Sequence, residues 1–90
     1  MPREDEIRDK IQQIAARQKQ TRFDEIEWVV KALESHESVN RRRTRHGILF
    51  RVGTERFSVC CHNAGTQQVK TCYVRGFLEA MAKLGWFDEE

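Results

Sequence analysis

Two histidines and a run of arginines are the residues of this chain whose types could do chemistry together. The stretch from Asn40 to His62 reads N-R-R-R-T-R-H-G-I-L-F-R-V-G-T-E-R-F-S-V-C-C-H. Arg41, Arg42, Arg43 and Arg45 lead into His46, Arg51 follows, and His62 closes the stretch. Imidazole exchanges protons near neutral pH, and guanidinium groups offer forked donors to phosphate oxygens. Such a set could cleave RNA without a metal. One imidazole would take the 2′-hydroxyl proton while the cations stabilise a phosphorane-like transition state. The plain alternative is a solvated, arginine-rich edge strand with a surface histidine at each end of a hairpin.

Other chemistry finds less support. Cys60, Cys61, His62 and Cys72 invite a metal reading, yet adjacent strand residues point to opposite faces and no C-x-x-C spacing occurs. The expectation is reduced, structural thiols, with no metal and no cofactor. The chain has no glycine-rich phosphate loop and no nucleophile elbow. Trp28, Trp86 and the phenylalanines read as core rather than as stacking platforms.

The candidate residues sit on what reads as a β-hairpin. Ile48, Phe50 and Val52 alternate with Leu49 and Arg51; Gly53-Thr54 breaks the run, and Phe57, Val59 and Cys61 resume it. With Val52 and Glu55 flanking the turn, position 46 falls opposite position 61. That would bring His46 and His62 to the same end of the sheet. Ser38–Arg43 reads as a first strand, on which alternation divides the arginines between two faces.

Helices must flank this sheet. Asp24 and Glu27 form a D-x-x-E capping box, with Phe23 and Trp28 at the staple positions. Ile26, Val29, Val30 and Leu33 then give an apolar face to about Ser35. Asn63–Lys70 reads as a polar loop, after which Thr71 caps a last helix carrying Val74, Phe77, Leu78, Met81 and Leu84 at helical spacing. Gly85 suits the C′ position, with Trp86-Phe87 folding back behind it. Gly76, costly inside a helix, suggests close packing. Pro2–Gln20 reads as an amphipathic helix with a narrow Ile7, Ile11, Ile14 stripe and Glu4-Asp5-Glu6 at its positive end. It either packs on the domain or serves as a partner-binding arm, for another protein or for a second copy in a homodimer.

The organisation expected is therefore α+β: an N-terminal helix over residues 1–20, an α-β-β-β-α domain over 21–87 with a three-stranded antiparallel sheet, and an acidic tail at 88–90. Ninety residues suffice for one small core. Net charge is only +2, but residues 40–86 hold nine basic against two acidic side chains, a local +7 that suits a polyanionic partner. No apolar run approaches the ~20 residues that span a bilayer, and no apolar signal segment opens the chain, so a cytoplasmic protein with reduced cysteines is expected.

From about Phe23 to Trp86 the chain resembles the HicA family, the small toxins of bacterial toxin–antitoxin pairs. The pieces that carry the resemblance are Glu25–Leu33, R-R-R-T-R-H-G-I-L-F-R, F-S-V-C-C-H and F-L-E-A-M-A-K-L-G-W. The resemblance implies a double-stranded-RNA-binding-domain-like α-β-β-β-α fold, binding or metal-independent cleavage of mRNA, and an antitoxin-like protein partner. His46 becomes the catalytic candidate and His62 its helper, with Arg41, Arg42, Arg43, Arg45 and Arg51 on the RNA. The family's G-S-H is replaced by Arg45-His46-Gly47 in an ungapped alignment. This sets Gly47 at the catalytic histidine's position and His46 one residue early, where a strand turns it to the other face. The proline usual near the second histidine is missing. Two readings stand: an RNA-binding domain, either an endoribonuclease or a catalytically lapsed relative, or a non-enzymatic interaction module that uses the first helix.

Overall fold

The computed structural model describes residues 3–45, 47–63 and 68–87, with the backbone alone at 61–63 and 68. Helix α1 runs Glu4–Ala16, α2 Phe23–Leu33 and α3 Thr71–Lys83. Strands β1 (Val39–Thr44), β2 (Gly47–Val52) and β3 (Glu55–Val59) form an antiparallel sheet in that spatial order. The α+β class and the helix–strands–helix order are those expected from the sequence.

Alternation sets the two faces of the sheet. Phe50 and Val52 on β2 and Phe57 and Val59 on β3 are buried, while Arg51, Arg56 and Ser58 are exposed. The turn falls at Gly53-Thr54, with Val52 opposite Glu55 and Gly53 at φ 60°. The buried face lies under the helices. A run of ring contacts crosses it, Phe23 to Phe50 at 6.4 Å, Phe50 to Phe57 at 5.4 Å and Phe57 to Phe77 at 5.3 Å between centroids. Aromatic pairs at these distances add to their area burial.

Helix α1 belongs to the same core. Ile7, Ile11 and Ile14 are fully buried and packed with Val29, Val30, Leu33, Val74 and Met81. Outside the core, Arg8 donates from Nη1 to the Gly85 carbonyl at 2.8 Å and lies over the Trp86 ring. The isoleucine stripe that a partner-binding arm would need is thus spent inside the molecule.

Several local details differ from the sequence reading. The N-cap of α2 is Arg22, not Asp24, because Glu25 reaches back to accept the Arg22 backbone N–H at 3.0 Å. The same carboxylate also accepts from Arg17 at 3.1 Å and Lys10 at 3.5 Å, so a tertiary ion pair selects where the helix starts. Trp28 is the exposed large hydrophobic residue of the described chain rather than a staple. Thr71 begins α3 behind Lys70 without a side-chain cap. Gly76 is not closely packed within the chain, since a Cβ there would meet nothing within 4 Å. The expected end of α3 does form: the N–H groups of Gly85 and Trp86 bond back to Ala82 and Met81, with Gly85 at φ 85°.

The largest difference concerns the third strand. Cys61 does not continue β3; Cys61–Asn63 (β4) pairs with Gln68–Val69 (β5) in a separate ribbon, whose second strand lies inside what reads as a polar loop. The cause lies in β2, which starts at Gly47: with Ile48 opposite Val59, Gly47 is the last β2 residue and none is left opposite Cys61. Val69, 2% exposed, anchors the ribbon by donating its N–H to the Thr21 carbonyl at 3.0 Å.

Candidate functional site

Register decides which arginines share a surface. Residues directly opposite in an antiparallel pair lie on one face, and successive residues alternate. Arg41 pairs with Phe50 and Arg43 with Ile48, which puts both on the helix side of the sheet. Arg42 pairs with Leu49, and Asn40 with Arg51, which puts these on the outer side. Across β2, Arg51 pairs with Arg56 and Leu49 with Ser58. The outer face therefore reads Asn40–Arg51–Arg56 in one row and Arg42–Leu49–Ser58 in the next.

Three guanidinium groups, those of Arg42, Arg51 and Arg56, stand on this face, and among the described strand residues no carboxylate does. Arg51 and Arg56 are directly opposite, a like-charge arrangement that costs stability in a sheet. Among the described residues no acidic side chain pairs with Arg42, Arg43, Arg45, Arg51 or Arg56. Asn40, Arg41, Arg42, Leu49, Arg51 and Arg56 line a shallow depression at this part of the sheet. The face offers donors for anions and, in Asn40 and Ser58, hydrogen-bonding groups between them.

The remaining sequence candidates are dispersed. Arg41 is engaged, 3.3 Å from the Glu27 carboxylate and 5.4 Å from the Phe50 ring centre, closing the open side of the core beneath β1. Arg43 is exposed on the strand and Arg45 just beyond it, where the chain passes from β1 to β2. His46 lies outside the described residues. His62 falls on β4 rather than at the end of β3. Cys61 faces Val69 and Asn63 faces Gln68, so His62 is the extra residue of a bulge; its side chain lies outside the described set.

Gly47 has a steric reason. Its φ is +154°, and an added Cβ would overlap the Val59 carbonyl oxygen and press on the Cys60 backbone. The position to which the HicA resemblance assigns a catalytic histidine has room for no side chain here. Arg56 is the residue that sequence reasoning missed. Its signal was present, because a turn flanked by Val52 and Glu55 sets 56 opposite 51.

Among the described residues no three His, Cys, Asp or Glu side chains gather to hold a metal ion. No described helix is long and apolar enough to cross a membrane. No family model, no curated protein and no solved structure matches this chain. What can be argued about its function therefore rests on the fold and on the charge of its outer sheet face.

Proposed function

We propose that the chain is a HicA-like, double-stranded-RNA-binding-domain-like module that binds RNA through the outer face of its sheet, and that it binds without cleaving. The single observation that carries the reading is Arg51 opposite Arg56, with Arg42 one row away and no acidic strand residue on the face among those described. Such a like-charge cluster is unfavourable alone and becomes favourable against phosphates, which accept forked donors and release counterions. The sheet's aromatic residues, Phe50 and Phe57, point into the core, so the face reads backbone rather than stacked bases. Gly47 supports binding over catalysis, since the family's histidine has no space there. Helix α1 is committed to the core, which argues against the alternative of an interaction module built on that helix.

The test is fluorescence anisotropy with a labelled RNA across a salt series. Binding weakens as salt rises, and each of Arg42→Ala, Arg51→Ala and Arg56→Ala lowers the log–log salt slope by about 0.7–0.9 per lost phosphate contact. Arg41→Ala, already paired with Glu27, leaves the slope unchanged. His46→Ala and His62→Ala leave affinity unchanged, and the RNA stays intact on prolonged incubation. Salt-independent binding would remove the reading; metal-independent cleavage lost on His46→Ala would replace it with the endoribonuclease.

A further inference from the structure

Strand β3 is an edge of the sheet, and its outward backbone groups belong to Arg56 and Ser58. A two-residue turn closes on a hydrogen-bonded pair, here Val52 and Glu55, and such pairs alternate along an antiparallel ladder. Glu55, Phe57 and Val59 thus bond to β2, and Arg56 and Ser58 present their N–H and C=O groups away from it. Among the described residues no other backbone group reaches these four. Beside the edge runs an open groove lined by Ser58, Cys72, Tyr73, Gly76 and Glu79. In this groove Gly76 leaves α3 without a side chain, at a helical position where glycine costs about 1 kcal/mol, and no atom of the described residues lies within 4 Å of where a Cβ would stand.

We propose that β3 pairs with the β3 of a second copy, antiparallel about a two-fold axis at Phe57. The two sheets become one of six strands, and the two α3 helices lie alongside each other at Gly76. The register supports self-pairing. About Phe57, Arg56 meets Ser58 of the second copy rather than its own equivalent, and all four outward groups of each edge find partners. Phe57 contacts Phe77, so the axis runs beside Gly76, where the absent side chain lets the helices approach. Charge supports it too. The groove holds Glu55 and Glu79 against Arg56 and Lys83, so it meets its own copy with no net charge. Strand β1, the other edge, suits self-pairing less, because a two-fold axis at Arg41, Arg42 or Arg43 sets at least one arginine opposite another. An isologous edge contact of this kind closes on itself and stops at two chains. It also lays two outer arginine clusters on one continuous surface, although the pairing does not depend on the RNA reading.

Sedimentation equilibrium of the whole chain over a wide concentration range tests the pairing. The expected mass is that of two chains at high concentration. Ser58→Pro removes only an outward N–H and spares the β2 ladder, while Gly76→Arg fills the groove with a good helix former. Each shifts the dimer–monomer midpoint at least tenfold towards single chains, with the far-ultraviolet circular dichroism unchanged. Arg43→Glu, on β1, leaves the midpoint in place. If Ser58→Pro unfolds the protein, Gly76→Arg decides. A single-chain mass for the unaltered protein at every concentration overturns the proposal, as does a dimer that survives every folded variant or one that Arg43→Glu dissociates.

Discussion

Gly47 and Gly76 show how differently two glycines can be justified. Gly47 stands where the backbone of β3 comes too close for any side chain, so Gly47→Ala should cost about 2–4 kcal/mol, read as a lower urea midpoint. Gly76 faces open space, so on dilute single chains Gly76→Ala should gain about 0.5–1 kcal/mol by the same measurement. The arginine pair makes an opposite kind of prediction. Arg56→Glu would turn the like-charge pair with Arg51 into an attractive one and stabilise the sheet by about 0.2–1 kcal/mol, while RNA affinity falls. A variant that is more stable yet binds worse would mark a cluster kept for a ligand. A variant that loses both would mark these arginines as structural.

Helix α2 depends on one carboxylate. Glu25 accepts the Arg22 backbone N–H and meets Arg17 and Lys10 from the preceding segment, so it joins the helix start to α1. Glu25→Ala should cost about 1–2 kcal/mol in thermal or urea unfolding, combining a lost N-terminal hydrogen bond with half-shielded ion pairs. Glu27→Ala should cost less, because Glu27 is itself more exposed than Glu25 and has a single ion-pair partner, Arg41, among the described residues. Among the strands, β3 is the pivot. It completes the main sheet up to Val59 and then hands the chain to a ribbon pinned on Thr21. That handover moves His62 off the hairpin end where simple alternation sets it.

For the molecule as a whole, a small core makes α1 indispensable. Burying three isoleucines contributes on the order of 1.5–3 kcal/mol each, which together rivals the entire stability of a domain this size. Deleting residues 1–20 should therefore abolish the cooperative unfolding transition and the near-ultraviolet circular dichroism. A truncated chain that still unfolds sharply would show that α1 is an accessory. Ile11→Ala offers a milder version, with a loss of about 2–5 kcal/mol expected for a fully buried site.

Much of this architecture can be read from local pattern, since strand alternation, helical spacing and turn chemistry act over a few residues. The helix–strand–strand–strand–helix order, the Gly53-Thr54 turn, the register across it and the glycine cap of α3 are all local consequences of this kind. The same alternation says that the arginine run must divide between two faces. Which face stays bare is a tertiary matter, because it depends on which side the helices cover. Only packing assigns Arg42, Arg51 and Arg56 to the open face and draws Arg41 to Glu27. Tertiary contact likewise moved the start of α2 to Arg22, through a carboxylate that also serves α1, and left Gly76 facing open space. The β4–β5 ribbon escaped the sequence pattern because strands of three and two residues carry no period to read. What ties it to the fold is long-range: Val69 is buried and donates its N–H to Thr21, far away in the chain.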